Sequence, residues 1–174
     1  VYLREPGGTK VSEKLRKILL DSQNDSITPR AEMLLYMAAR AQLVNEIILP
    51  ALKKGKIIIC DRFLDSTIAY QGYGLGIGIK LIKCVGEFAT SGIKPGLTIF
   101  LDLPIRKGLK HRQQSKDRIE KRSLAYHSRV LEGYLKLADL EPKRIKIVKV
   151  HKDKIKTQSE IRKLVDKFLC HLKI

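Results

Sequence analysis

Several features that would assign a chain to a class at once are missing from this sequence. Cysteine is rare, and Cys60, Cys84 and Cys170 show neither a C-x-x-C spacing nor a histidine at ligand spacing, which argues against a disulfide framework and a zinc site. No run approaches the roughly 18 uninterrupted apolar residues that a membrane helix needs. The first residues also lack the basic-then-apolar layout of a signal peptide. We therefore expect a soluble, cytoplasmic protein with no membrane partner.

Acidic residues are scarce. The chain has 18 Asp or Glu against 35 Lys or Arg, a net charge of +17. Residues 105–174 carry 21 basic against 8 acidic residues, whereas residues 1–104 carry 14 against 10. Such a field attracts phosphate, so nucleic acid, an anionic surface and a polyphosphate substrate are all compatible with it. A lysine-rich solvated surface is the alternative interpretation.

Short apolar runs alternate with longer segments of helical periodicity, and no internal repeat or Pro-, Gly- or Ser-rich linker separates them. Runs 57–60 and 97–101 are continuously apolar and each is followed or closed by an aspartate, as is typical of parallel strands covered on both faces. Residues 145–148 alternate and suit an edge strand. We predict one α/β domain over residues 1–174, a parallel sheet flanked by helices.

The clearest helix signal lies at residues 28 and 29. Thr28 as N-cap and Pro29 at the first helical position predict a helix that runs toward Pro50. Further helices are predicted over residues 64–71, 78–91, 105–113, 120–139 and 157–172.

Polar residues at predicted strand ends are the candidates for a site, because ligands of open α/β sheets bind outside the carboxyl ends of the strands. Asp61 and Arg62 could serve a metal-bound phosphate and a second phosphate, or could form a structural ion pair.

Arg4 and Glu5 precede the turn 6–9, whose two glycines would let the backbone approach a ligand closely. A simple strand-to-helix turn is the alternative.

Five motifs follow one another along the chain: R-E-P-G-G-T at 4–9, L-L-Y-M-A-A-R-A-Q at 34–42, D-R-F-L-D-S-T-I-A-Y-Q-G at 61–72, F-L-D-L-P at 100–104 and D-R-I-E at 117–120. In this order and at these spacings they resemble the thymidylate kinase family, as far as about residue 138. The resemblance implies a P-loop nucleoside monophosphate kinase-like fold. It also implies phosphorylation of dTMP to dTDP with ATP and Mg²⁺ in dTTP biosynthesis, by a homodimer.

The resemblance assigns roles to single residues. Arg62 would contact the phosphates between the two substrates, and Asp61 would lie by the magnesium ion. Tyr36 would stack on the thymine and Arg40 would hydrogen-bond it. Residues four apart on a helix share one face, so joint contact with one base is physically reasonable.

The remaining dTMP site is implied in the same way. Arg4 would contact the phosphate, Thr67 or Gln71 would lie near the base, and Tyr70 would lie near the sugar. The full set of further substrate-binding residues is Arg4, Glu5, Pro6, Ser66, Thr67, Tyr70 and Gln71.

Residues 111–122 would form the lid of the family. Transferring phosphoryl groups carry negative charge on their equatorial oxygens, and positioned cations stabilise it. The resemblance implies that Arg112, Arg118 and Arg122 supply these cations. A basic loop without a catalytic role is the alternative.

The sequence contains no G-x-x-x-x-G-K-[ST] motif, and the glycine-rich segment 72–78 lacks the Lys-Ser/Thr that would complete one. In the family, a first strand, this ATP-binding loop and a first helix precede R-E-P-G-G-T. We therefore expect an N-terminally incomplete, truncated kinase. Without the first strand, which lies in the middle of the family's sheet, its two neighbouring strands would each have an unpaired edge. Whether the chain alone is active is left open.

Two other functions stay open. One is a related kinase that acts on another nucleoside monophosphate. The other is a non-catalytic basic remnant that binds nucleic acid or regulates. No nucleic-acid module or aromatic stacking platform is recognisable, so nucleic acid is not the expected partner.

Overall fold

Parallel strand pairs form the centre of the fold. The computed structural model describes residues 1–110 and 117–171, and four short strands lie within them. They are β1 (Tyr2–Arg4), β2 (Ile59–Asp61), β3 (Thr98–Asp102) and β4 (Ile145–Lys149). β1 pairs with β2 and β3 pairs with β4, both in parallel. In the described part of the chain each strand has one partner, so the predicted parallel sheet is present as two ladders.

Helices surround the strand pairs. They are α1 (Lys10–Leu20), α2 (Pro29–Leu43), α3 (Leu49–Lys53), α4 (Leu64–Thr67), α5 (Ile79–Thr90), α6 (Ile105–Lys110), α7 (Leu124–Leu140) and α8 (Lys154–His171). Two π-type turns, Val44–Ile48 and Ile68–Gly74, continue α2 and α4. No helix among the described residues is long and apolar enough to cross a membrane.

Side-chain caps fix where α2 and α7 begin, at the predicted position for α2 and later than predicted for α7. The Thr28 hydroxyl accepts a hydrogen bond from the Ala31 amide at the start of α2, which confirms the predicted cap. Helix α7 begins at Leu124 and not at residue 120, because Ser123 caps it. The Asp117 carboxylate holds the preceding turn by accepting from the amides of Ile119 and Glu120.

Three apolar clusters fill the interior of the described structure, and two of them involve α2. Met33 and Met37 of α2 pack with Ile82 of α5 and Leu137 of α7. Leu3 of β1 packs in a second cluster, formed mainly by the end of α2 and by Phe63 after β2. Full burial of one such side chain stabilises the fold by about 1.5 to 3 kcal/mol. Helix α2 contributes to both clusters and thereby fixes its position relative to β1 and β2.

The expectation that the apolar strands are covered on both faces is wrong in part. Ile59 is 63% exposed and Leu101 is 48% exposed. The described strands form two pairs and not one wide sheet, so part of the surface of β2 and β3 has no neighbour. The alternating segment 145–148 lies in β4, at the end of a ladder as predicted.

A polar network joins the two strand pairs. Asp65, in the short helix α4 that follows β2, accepts two hydrogen bonds from Arg144 at 2.7 and 2.8 Å and one from Thr98 of β3 at 2.9 Å. Arg144 also bonds Glu141 at 2.9 Å, and Lys94 lies 2.6 Å from the same carboxylate. We call these five residues the Asp65–Arg144 network. It connects the beginnings of β3 and β4 to α4, the helix that follows β2.

Candidate active site

The first and third motifs meet at the carboxyl ends of β1 and β2. The parallel register sets Arg4 opposite Asp61, and the Glu5 amide donates to the Asp61 carbonyl at 2.9 Å. Arg62 follows with φ 69°, a left-handed conformation that is uncommon for a residue with a side chain. Its guanidinium carbon lies 5.0 Å from the ring centroid of Tyr70. Strained backbone of this kind concentrates at functional sites, and it directs Arg62 out of the strand.

The turn after β1 depends on its glycines. Gly7 and Gly8 have φ of 143° and 88°, and a Cβ on Gly8 would lie 2.8 Å from a Leu43 methyl group. The Gly8 amide donates to Glu13 at 2.9 Å, which together with Arg4 lowers the pKa of the Glu13 carboxyl. Arg4 pairs with Glu13 at 3.4 Å and remains 53% exposed. The Arg4 guanidinium beside this turn is therefore accessible to solvent, and a phosphate could reach it.

Arg40 is fully buried between two segments that the sequence also assigns to the site. Its Nε donates to Glu5 at 2.7 Å and its Nη2 donates to Thr67 at 3.0 Å. Burial raises the pKa of Glu5, against the opposing charge of Arg40. The Oε1 atom of Glu5 is buried without a hydrogen-bond partner. The structure thus brings three predicted residues together, with most of the Arg40 donors already engaged.

Tyr36 lies one helical turn before Arg40 and is half-buried. Its burial raises its pKa to about 12, and the nearby carboxylate of Glu32 adds to this shift. The charges of Arg62 and Arg118 lie close enough to act on the same hydroxyl in the opposite direction. Tyr36 therefore keeps its hydroxyl protonated at neutral pH, in surroundings that contain arginines from two distant segments.

Helix α4 and the π-type turn after it carry three further predicted substrate residues, Ser66, Tyr70 and Gln71. Gln71 is 2% exposed and its amide Nε2 donates to Glu32 at 2.9 Å. The Tyr70 ring packs edge-on against Tyr126 and Tyr134, with centroids 6.3 Å apart in both cases. The Ser66 hydroxyl is hydrogen-bonded to that of Tyr134 at 2.7 Å. Among these side chains, Gln71 is linked directly to α2.

The lid arginines that the structure describes converge on one buried carboxylate. Glu32 has 0% exposure. The Nη2 atoms of Arg118 and Arg122 both lie 2.6 Å from its Oε2, although the Arg118 contact is an ion pair without hydrogen-bond alignment. Arg122 also donates to Oε1 at 3.3 Å. We call Glu32, Gln71, Arg118 and Arg122 the Glu32 cluster. Arg112 and the rest of the predicted lid up to residue 116 lie outside the described residues.

Comparison with known proteins supports the interpretation of these motifs. The family model described as thymidylate kinase matches residues 1–161. A thymidylate kinase of Thermoanaerobacter sp. (strain X514) is 48% identical over 170 residues, which cover 97% of this chain and 83% of the relative. One from Kosmotoga olearia is 46% identical, covering 90% and 79%. The chain belongs to the thymidylate kinase family.

Membership places the chain among the nucleoside monophosphate kinases, which are phosphotransferases, and confirms the predicted family and enzyme class. The crystal structure of a thymidylate kinase from Ehrlichia chaffeensis resembles the chain with a TM-score of 0.75 at 29% identity, covering 95% of this chain and 80% of that one. This confirms the α/β nucleoside monophosphate kinase fold. The family match also extends beyond residue 138, where the recognisable motifs end.

Glu32 is the site residue that sequence reasoning missed. A signal for it exists, because Glu32, Tyr36 and Arg40 are spaced by four residues and so lie on one face of α2. The partners of Glu32 could not be inferred, since Arg122 is 90 residues away along the chain. Helix α2 thus presents a carboxylate, an aromatic ring and a guanidinium in successive turns.

Proposed function

We propose that the chain binds dTMP and transfers to it the γ-phosphoryl group of ATP, giving dTDP and ADP in dTTP biosynthesis. The observation that carries this proposal is the convergence of Gln71 and of Arg118 and Arg122 on Glu32, one helical turn before Tyr36 on α2. An aromatic ring bordered by arginines suits a ligand that combines a base with a phosphate. Family membership supports thymine as that base.

On the monophosphate side, each residue has one proposed task. Tyr36 stacks on the thymine, and Arg40, held by Glu5, directs its guanidinium edge to the base next to Thr67. Tyr70 packs near the sugar. Arg4, which precedes the glycine turn and is about half-exposed, contacts the phosphate. Arginine stays protonated under all physiological conditions, so these contacts hold across neutral pH.

The transfer itself needs cations at fixed positions. As the phosphoryl group moves, its equatorial oxygens carry negative charge, and positioned guanidinium groups stabilise that charge. Arg62, Arg118 and Arg122 are the described residues proposed for this role, and Arg112 is proposed with them. The first three approach from two segments of the chain, which allows them to surround the group from more than one side.

We propose ATP and Mg²⁺ as co-substrate and cofactor. In the described residues no group of three or more His, Cys, Asp or Glu could hold a metal ion. Mg²⁺ in kinase sites is usually bound by one or two carboxylates together with substrate phosphates, so the exposed Asp61 fits an ion that arrives with the nucleotide. Such an ion would neutralise phosphate charge. The sequence has no G-x-x-x-x-G-K-[ST] motif, and nucleotide binding is therefore the first property to test.

We further propose a cytoplasmic homodimer. Leu34 of α2 is 53% exposed, and Leu81 and Phe88 of the neighbouring α5 are 52% and 86% exposed. Exposed apolar side chains on two helices that pack together suit an interface between copies. Analytical ultracentrifugation of the wild type and of Phe88→Ser tests this: a dimer that the substitution dissociates supports it, and a wild-type monomer at high concentration contradicts it.

Calorimetric titration of the purified chain with dTMP, dUMP, dCMP and GMP tests the proposed function. We expect saturable binding of dTMP that is tighter than binding of the other three. Tighter binding of another monophosphate would assign the chain to a related kinase, and preference for a single-stranded DNA oligonucleotide over dTMP would favour the nucleic-acid-binding alternative. A folded chain, verified by circular dichroism, that binds no monophosphate contradicts the proposal.

A further inference from the structure

Glu32 occupies a position where a charged carboxylate is unfavourable without compensation. The side chain has 0% exposure, and burying a carboxylate is strongly unfavourable unless it is paired and hydrogen-bonded. Three side chains provide the compensation: Gln71 bonds Oε1, Arg122 bonds both oxygens, and Arg118 pairs with Oε2. These partners come from the turn after α4 and from the lid. One buried carboxylate therefore fixes two segments of the site to α2.

The two arginines retain donors after this pairing. Each guanidinium has five N–H donors. Arg122 donates to Glu32 from Nη1 and Nη2. Arg118 donates from Nε to the Leu19 carbonyl at 3.0 Å, and its Nη2 forms the ion pair with Glu32. One carboxylate against two arginines also leaves one positive charge in the cluster. The remaining donors and this charge suit an anion.

The position of Glu32 on α2 sets where these donors lie. Glu32 precedes Tyr36 by one helical turn, so both side chains are on the same face of the helix. The Nη2 atoms of Arg118 and Arg122 both lie 2.6 Å from Oε2 of Glu32 on that face. The paired arginines are thus held beside the ring that the proposed function assigns to the base.

We propose that Glu32 is a positioning residue: it holds Arg118 and Arg122 as a fixed pair beside Tyr36, so that their remaining donors meet the phosphate of the bound nucleotide. The inference rests on the proposed function, since it requires a nucleotide stacked on Tyr36. Glu32 itself does not touch the substrate. It acts by keeping two long, flexible side chains in one arrangement, which reduces the entropy that they lose on binding.

The test compares a ligand that has the phosphate with one that lacks it. The affinities of dTMP and thymidine are measured by titration calorimetry for the wild type, Glu32→Gln and Glu32→Asp. Any effect through Gln71 on the base alters both affinities alike, so the ratio of dTMP to thymidine affinity isolates the arginines. We expect this ratio to fall about tenfold in Glu32→Gln and about threefold in Glu32→Asp, which keeps the charge but shortens its reach.

Glu141→Gln is the matched control, because it also removes a carboxylate from an arginine, in the Asp65–Arg144 network. It should lower the melting temperature and leave the affinity ratio unchanged. If Glu32→Gln does not fold, the ratio in Glu32→Asp decides. An unchanged or increased ratio in the folded Glu32 variants overturns the inference while the proposed function stands. Absence of dTMP binding by the folded wild type overturns the proposed function, and this inference with it.

Discussion

The Glu32 cluster and the Asp65–Arg144 network are built from the same chemical groups, but their charges balance differently. In the network, Asp65 and Glu141 face Arg144 and Lys94, so two negative charges meet two positive ones. In the cluster, which is defined by one carboxylate, Glu32 faces both Arg118 and Arg122. In a balanced set the opposite charges neutralise each other and stabilise the fold, whereas a surplus of arginine can still bind an anion. Charge balance therefore distinguishes the Asp65–Arg144 network from the Glu32 cluster, which we propose binds phosphate.

Removing Arg144 should give the largest effect on stability and should not affect the site. Asp65 is buried and would keep only the Thr98 hydroxyl as a side-chain partner in the network. We expect Arg144→Gln to lower the free energy of unfolding by about 3 kcal/mol, because an uncompensated buried charge remains. Urea denaturation measures it, with the exposed Arg30→Gln as the control. A loss as small as that of the control would show that the network does not join the strand pairs.

Arg122→Gln should show the opposite pattern. Arg122 is 20% exposed, and Glu32 keeps Arg118 and Gln71 as partners after the substitution. We expect dTMP affinity to fall about tenfold and the unfolding free energy to fall by about 1 to 2 kcal/mol, less than in Arg144→Gln, because the buried carboxylate keeps one arginine and one amide donor. Calorimetric titration and urea denaturation of the same sample measure both. If Arg122→Gln and Arg144→Gln behave alike, the distinction between cluster and network fails.

Arg62 allows backbone strain to be separated from side-chain function. Its φ of 69° is unfavourable for any residue with a Cβ but not for glycine. Arg62→Gly and Arg62→Ala both remove the guanidinium, so both should lose dTMP affinity. We expect the glycine variant to be more stable than the alanine variant by about 1 kcal/mol in thermal unfolding. Equal stability would show that the strand end relaxes when the side chain is shortened.

The smallest effect concerns pH and the network. Hydrogen bonds from Arg144 and Lys94 lower the pKa of Glu141 to about 2, from an ordinary value of 4.5. A carboxyl whose pKa is lower in the folded state stabilises the protein above about pH 4.5, and this contribution disappears as pH falls toward 2. The unfolding free energy of the wild type should therefore decline more steeply over this interval than that of Glu141→Gln. Parallel declines would contradict the predicted role of Glu141.

Local sequence signals predicted those parts of the structure that depend on neighbouring residues. The Thr28 cap and the polar residues at the ends of β1 and β2 follow from motif and strand patterns, and the parallel register then places Arg4 opposite Asp61. Pairs formed across the fold were not predictable in this way. Arg144 meets Asp65 at a separation of 79 residues, and no local periodicity marks either as a partner of the other.

The exposure of the strands shows a second limit of sequence reasoning. A continuous apolar run indicates a buried strand, but how much of it is covered depends on what packs against each face. Ile59 of β2 is exposed and Leu3 of β1 is buried, although each strand has one partner in the described residues, because Leu3 packs against the end of α2. The packing of helices on strands is a property of the whole fold, and the run of apolar residues does not encode it.

The most direct test of the account is the comparison of dTMP with thymidine on the wild-type chain by titration calorimetry. A surplus of arginine beside Tyr36 predicts saturable binding of dTMP that is at least about tenfold tighter than binding of thymidine, since charge-assisted hydrogen bonds to the phosphate add to the base contacts. Equal affinity for the two ligands, or no binding of dTMP by the folded chain, would contradict the assignment of this surplus to phosphate binding.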